Sequence, residues 1–402
     1  MSTYFYRVPL AVPCWNNATY RGILRSILSA GVIHGPDLGK LRSLVIQTLR
    51  VEEAILCGSG SLALEIALRA CEVRQGDEVV IPAFCCTSVV APILAVGALP
   101  VFADVGTELN LTAETVGPVL TERTRAIIVP HLFGNPADIN AVIEVARGKG
   151  IRVIDDAAQA LGATIDSQSV GTFGDAGVLS FGSEKVCAGI GGGVVVSRER
   201  GALNSTLPMD LTAARFTSAV GSFSSTMIWR RWRRWTLPVQ AAWSRMKSAS
   251  PNSPPTPYRK ETMPNLTAAV ASSLMQTLRA NIAARRARVR AYRDWLANEE
   301  GLTLIAHRAG SACLTQVAHI LPRRRGNDRA ARVIEVLRNA GYEVQGSYVP
   351  IHLLPHYEPW LRERLPYAEG VWSDLIELPC EPEVSLNHVE RISSIVRQAL
   401  NS

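Results

Sequence analysis

Between residues 54 and 193 short apolar runs alternate with stretches of helical periodicity, and this alternation restricts the chain more than any other feature. Residues 54–57, 78–81, 100–103, 126–129, 152–154 and 176–179 read as strands. Residues 62–68, 87–96 and 137–147 carry apolar side chains at helical spacing. Strands that are apolar throughout are buried on both faces, so the pattern implies an α/β fold: a mixed, mostly parallel sheet flanked by helices. In such sheets ligands sit beyond the carboxyl ends of the strands. The residues that follow each strand are therefore the ones to read for chemistry.

Three of those strand ends carry chemically suggestive residues. Gly58-Ser59-Gly60-Ser61 joins the first strand to a helix, where backbone N–H groups and hydroxyls cradle a phosphate; a plain Ser N-cap reads equally well. Asp155-Asp156 closes another strand, and a carboxylate there holds a protonated ring nitrogen, a metal or a helix cap. No further Asp, Glu or His clusters at metal-ligand spacing, so no metal is expected. Ser180-Phe-Gly-Ser-Glu-Lys185 follows the last strand and precedes Gly189, Gly191, Gly192 and Gly193. Lys185 is either a surface lysine at a strand end or a partly desolvated amine able to attack a carbonyl. Lysine, carboxylate and phosphate cradle on one sheet are what pyridoxal phosphate requires.

The remaining composition sets limits. With 402 residues and 47% hydrophobic content the chain is long enough for two or three domains. The expected divisions are an N-terminal arm with one helix (1–50), a large domain (51–210), a basic Trp-rich insert with a Pro-rich linker (211–260), and a long helix with a small C-terminal α+β domain (261–402). Eight Cys show no paired CxxC spacing, which points to a reducing cytoplasm and no zinc site. Residues 1–12 lack the pattern of a signal peptide. The uncharged run 79–103 is broken by Pro82, Pro92, Gly97 and Pro100 and reads as strand, helix, strand and not as a membrane span.

Taken in order, Gly58-Ser-Gly-Ser-Leu-Ala-Leu, Gly76-Asp-Glu-Val-Val-Ile-Pro, Pro100-Val-Phe-Ala-Asp, Thr124-Arg-Ala-Ile-Ile-Val-Pro-His-Leu-Phe-Gly, Asp155-Asp-Ala-Ala-Gln-Ala-Leu-Gly-Ala and the Ser180 to Lys185 run resemble the DegT/StrS sugar aminotransferases. Near the end, Tyr348-Val-Pro-Ile-His352 and Leu378-Pro resemble that family's small-domain motifs. The resemblance implies a fold-type I pyridoxal-phosphate enzyme. Lys185 would carry the cofactor and act as base, Asp156 would partner its ring nitrogen, and Gln159 would face its phenolic oxygen. Gly60, Ser61 and Ser180 would hold the phosphate, and His352 would touch substrate. It further implies a homodimer that moves an amino group, commonly from glutamate, to a nucleotide-linked keto sugar for surface polysaccharide, glycolipid or antibiotic-sugar synthesis.

Some positions depart from the family. Cys86 stands where an aromatic residue often stacks on the cofactor, with Phe84 out of register. Gly191 replaces an acidic residue, and an Asn-x-Arg element is missing around 263–266. Two alternatives follow: a sugar dehydratase on the same cofactor, against which Lys185 argues because such enzymes commonly carry His there, and a cofactor-binding scaffold or regulator without turnover.

From 211 to 260 there is no Asp or Glu. At about 100° per residue Trp229, Trp232, Trp235, Val239 and Trp243 share one helical face and Arg230, Arg231, Arg233, Arg234 and Arg245 the other, with Pro238 as a break. Peripheral membrane contact through 228–247 and packing in a dimer interface stand side by side. Nucleic acid is not expected, since nothing else resembles a DNA- or RNA-reading module. Arg279, Arg285, Arg286, Arg288, Arg290 and Arg293 are expected to form a solvated helix face.

Overall fold

The computed structural model describes residues 8–203, 210–231, 257–322 and 329–401. Two helices open it, α1 (Asn17–Leu28) and α2 (Asp37–Leu49), where the sequence suggested one. The second forms because Leu41, Val45 and Leu49 fall four apart and are all buried.

The large sheet then assembles from β1 (Glu53–Cys57), α3 (Gly60–Ala70), β2 (Glu78–Pro82), α4 (Val90–Ala95), β3 (Leu99–Ala103), α5 (Ala113–Val116), β4 (Thr124–Pro130), α6 (Ile139–Arg147) and β5 (Arg152–Asp156). A short hairpin, β6 (Thr164–Ile165) and β7 (Gln168–Ser169), precedes β8 (Ala176–Ser180) and β9 (Gly193–Ser197). The order across the sheet is β1-β9-β8-β5-β4-β2-β3. Strands β3, β2, β4, β5 and β8 run parallel, and β9 is antiparallel to both of its neighbours. Alternate residues face opposite layers: Val79 and Ile81 join the core under α3 and α4, whereas Val80, Ile127 and Val153 pack with Ile139 and Val142 of α6. Burial on both faces is why these strands lack polar alternation.

Within the expected insert 211–260, α7 (Phe216–Thr226) is followed by a single wide turn over Met227–Arg231; Trp232, Trp235, Val239, Trp243 and the Pro-rich linker as far as residue 256 lie outside the described residues. The single long helix expected to open the 261–402 part is two, α8 (Asn265–Gln276) and α9 (Leu278–Leu296). Thr277 separates them by closing its N–H and its hydroxyl on the Leu274 carbonyl, at 3.1 and 3.2 Å. Helix α8 is buried along almost its whole length among α1, α2 and the large sheet.

A smaller antiparallel sheet follows, formed from β10 (Leu302–Leu304), β11 (Thr315–Ile320), β12 (Gln345–Gly346) and β13 (Leu375–Pro379) in the order β10-β11-β13-β12. It packs against α9, α10 (Arg329–Asn339) and α12 (Leu386–Asn401) through Tyr292, Val333, Ile376 and Ile392; α11 (Pro366–Val371) lies in the connection between β12 and β13. That connection ties the two sheets together. Ile351 donates to the Ala83 carbonyl at 2.7 Å, and Tyr367 and Ala368 donate to the Asp104 carboxylate at 2.9 Å.

Of the six arginines expected to form a solvated face of α9, Arg279, Arg290 and Arg293 are exposed, whereas Arg285, Arg286 and Arg288 turn inward. Arg285 is fully buried, paired with Glu381 and bonded to Asn281 and the Leu314 carbonyl, while Arg286 and Arg288 donate to carbonyls of neighbouring loops. The helix turns this side to the interior, so its guanidinium groups satisfy loop carbonyls that would otherwise be buried without donors. Among the described residues no helix is long and apolar enough to cross a membrane, and no group of three His, Cys, Asp or Glu could hold a metal.

Candidate active site

A cavity opens where the carboxyl ends of β2, β4, β5 and β8 meet the start of α3. Gly60, Ser61, Cys86, Asp156, Gln159, Ser180 and Lys185 all line it. The expected phosphate cradle is half capped already: Ser59 accepts from the Leu62 N–H at 3.2 Å, which leaves the first-turn N–H groups of Gly60 and Ser61 at the positive end of the helix. Ser180, at the end of β8, stands opposite. A Cβ at Gly60 would sit 3.0 Å from its Oγ, so glycine is what keeps that space open.

The two aspartates of β5 face opposite ways, as adjacent strand residues must. Asp155 is enclosed, with one oxygen on His131 Nε2 at 2.7 Å and the other accepting the Phe173 N–H at 2.9 Å. His131 Nδ1 accepts from the Ala137 N–H at 2.8 Å, so the ring's proton is on Nε2 and is donated to Asp155. Asp156 points into the cavity. Its Oδ1 accepts the Ala158 N–H at 2.9 Å. Burial pushes its pKa above the usual carboxylate range, against the opposing pull of that N–H and of the Lys185 charge.

Gln159 is fixed at both ends. Its Oε1 accepts the Phe133 N–H at 2.9 Å, and its Nε2 donates to the Tyr348 hydroxyl at 3.0 Å. The Tyr348 ring stacks on Phe133 and meets Phe84 edge on, each at 5.8 Å between centroids. Burial drives the phenol's pKa well above its ordinary value, which keeps it a neutral hydroxyl. Lys185 is half-buried in a turn closed by its N–H on the Gly182 carbonyl at 3.2 Å. The loop after it is held from two sides: Trp15 Nε1 donates to the Ala188 carbonyl at 2.9 Å and Asn281 Nδ2 to that of Val186 at 3.3 Å. Gly191 and Gly192, with φ of 117° and 94°, then return the chain into β9.

A family model for the DegT/DnrJ/EryC1/StrS aminotransferases matches residues 17–397. The chain belongs to the DegT/DnrJ/EryC1/StrS aminotransferase family. Among its relatives, a UDP-N-acetyl-3-dehydro-alpha-D-glucosamine 3-aminotransferase of Acidithiobacillus ferrooxidans is 41% identical over 180 residues, 44% of this chain and 49% of that relative. A GDP-perosamine synthase of Vibrio cholerae is 26% identical over 387 residues, 95% of this chain and 96% of that one. The crystal structure of the aminotransferase TlmJ from Streptoalloteichus hindustanus superposes with a TM-score of 0.79 at 23% identity, covering 98% of this chain and 99% of that one.

The residues present fit the cofactor of a DegT/DnrJ/EryC1/StrS aminotransferase. Gly60, Ser61 and Ser180 offer donors and space for a phosphate, Asp156 a carboxyl for a ring nitrogen, and Lys185 an amine. Cys86 occupies the cavity wall with its Sγ accepting from Ser88 Oγ at 3.1 Å, whereas Phe84 is buried behind it against Phe133 and Tyr348. His352 is the site residue that the structure does not bring to the cavity. It is buried beside Phe102 and 3.5 Å from Glu369, with neither ring nitrogen in a hydrogen bond. Tyr348, four residues earlier, reaches Gln159 instead. Tyr348, which orients Gln159, and His131, which holds Asp155, are not singled out by the sequence reading; the His131-Leu-Phe-Gly run at the end of β4 was the available signal for the second, and its position beyond a strand end was the reason to read it.

Proposed function

We propose that this protein is a pyridoxal-phosphate-dependent aminotransferase moving an amino group from glutamate to a nucleotide-linked keto sugar. The observation that carries the reading is the convergence of Lys185, Asp156 and the Gly60–Ser61–Ser180 cradle on one cavity at the carboxyl edge of the sheet. Pyridoxal phosphate, when bound, supplies an aldehyde to carry the amino group and a ring that draws electrons from the carbon losing its proton. Lys185 Nζ would hold the cofactor and, when free, would take and return that proton. Asp156 keeps the ring nitrogen protonated, a role matched by a carboxylate whose burial makes a cationic neighbour valuable. Gln159, oriented by Phe133 and Tyr348 on the cavity wall, would face the bound cofactor.

The names of the two relatives with UDP- and GDP-sugar chemistry support a nucleotide-linked substrate. Homodimerisation, a cytoplasmic location with peripheral membrane contact, and the division at residues 50, 210 and 260 complete the reading. Lys185 favours transfer over dehydration. Purified protein loaded with cofactor is to be offered glutamate and a panel of UDP- and GDP-linked keto sugars, with products followed by mass spectrometry. An amino sugar formed only with glutamate present supports transfer; loss of a hydroxyl without nitrogen gain supports dehydration and overturns it.

A further inference from the structure

Residues 258–262 form a strap that passes the end of β1, just before the turn into α3. There the Glu261 carbonyl accepts the Gly58 N–H at 2.9 Å. A Cβ at Gly58 would come within 2.8 Å of that oxygen, so glycine is what admits the approach. The other side of the same residue is held as well, its carbonyl accepting the Gly192 N–H at 3.2 Å. The two ends of the insert meet beside this point: Thr212 donates its N–H to the Lys260 carbonyl at 2.9 Å, and its own carbonyl accepts the Thr262 N–H at 3.0 Å. A buried charge ties the strap to α3. Glu65, in the second turn of that helix, is fully enclosed. One carboxylate oxygen accepts from Lys260 Nζ at 2.6 Å and from Arg69 Nη2 at 2.8 Å, and the other accepts the Tyr258 hydroxyl at 2.6 Å. Burial by itself would raise this carboxyl's pKa, but the three donors outweigh it and hold the group below its ordinary range, so it is ionised at neutral pH. An apolar side chain would fill the place without donors, as the buried Leu64 and Leu68 do on the same helix. Two of the three donors to Glu65 come from the strap.

We propose that Glu65 is a positioning residue for the phosphate cradle: through Tyr258 and Lys260 it holds the strap against Gly58, and the strap fixes the turn that presents the Gly60 and Ser61 N–H groups. The inference rests on the reading of that turn as the place of the cofactor's phosphate. Donors at a helix N-terminus act over the first turn only and weaken steeply when misaligned. A turn released from the Glu261 carbonyl therefore holds a phosphate less well. Asp156, Gln159 and Lys185 belong to other elements, so the contacts they offer to the rest of the cofactor are kept.

The test compares two ligands that differ by the phosphate alone, pyridoxal phosphate and pyridoxal. Each is titrated into the cofactor-free full chain and followed by the absorbance of the bound form, for wild type, E65Q and Y258F/K260M. Wild type binds pyridoxal phosphate more tightly than pyridoxal. Both variants are expected to weaken pyridoxal phosphate about tenfold and to change pyridoxal by less than about twofold. The double variant is altered only on the strap and leaves Glu65 with Arg69, so it carries the test should E65Q fail to fold; thermal unfolding without ligand verifies that it is folded. Equal weakening of both ligands overturns the proposal, because a merely structural support of the cavity would act on both alike. So does a double variant that binds both as wild type does. A wild type that does not distinguish the two ligands removes the reading of the cradle itself, and the proposal with it.

Discussion

On β5 two neighbouring carboxylates have been given different surroundings, and the pKa of Asp156 follows from its own. Asp155 is saturated by His131 and Phe173, whereas Asp156 is left in a buried cavity whose desolvation raises its pKa. A raised carboxyl is tolerated at low pH, where it is protonated in both states, and opposes folding once the pH exceeds its ordinary range. Asp156→Asn keeps the acceptor for Ala158, so it is expected to raise the Tm of cofactor-free protein at neutral pH while lowering turnover about 10²–10³-fold. Thermal unfolding and steady-state rates check both halves. Glu377 on β13 behaves similarly: burial lifts its pKa from 4.5 to about 7, against hydrogen bonds from Gln345 and Ser347. Between those values the folded state holds a proton that the unfolded state has lost, so stability falls as pH rises through that window. Glu377→Gln is expected to be the more stable protein at pH above about 7 and to show a shallower decline. Denaturant titrations at several pH values measure the slope; Glu381, also raised to about 7 by burial, keeps the slope from vanishing.

At the scale of elements, α9 turns on a buried ion pair. Arg285 is wholly enclosed with Glu381, and removing one partner strands the other. Arg285→Met is expected to cost about 3–5 kcal/mol, whereas the double change R285M/E381L recovers most of it. Chemical denaturation of the three proteins decides the matter, and an equal loss in single and double variants would contradict the pairing. This arginine also marks where sequence reading stopped. The strands of the large sheet were legible because uninterrupted apolar runs such as Val79-Val80-Ile81 have one explanation, burial on both faces. Lys185, Asp156 and the Gly60 turn were legible because they follow such strands. Arg285 was not, since a charge is placed inside only by a partner 96 residues away. The break at Thr277 depends on a side-chain bond to Leu274, and the seclusion of His352 depends on Phe102 and Glu369, contacts that no local pattern encodes.

Across the whole molecule, the second sheet serves the first. Tyr348 comes from the connection after β12 to orient Gln159 beyond β5, and Ile351 anchors that connection on Ala83. The connection from the smaller sheet thus orients a residue of the cavity, where Lys185 is proposed to perform the transfer. The most direct measurement follows the absorbance of bound cofactor when glutamate alone is added to wild type and to Lys185→Ala. Wild type is expected to convert to the amino form of the cofactor with release of a keto acid, and Lys185→Ala to bind cofactor, resist borohydride fixation and leave the spectrum unconverted. A wild-type spectrum unmoved by glutamate, or a Lys185→Ala variant that converts and turns over like wild type, would contradict it.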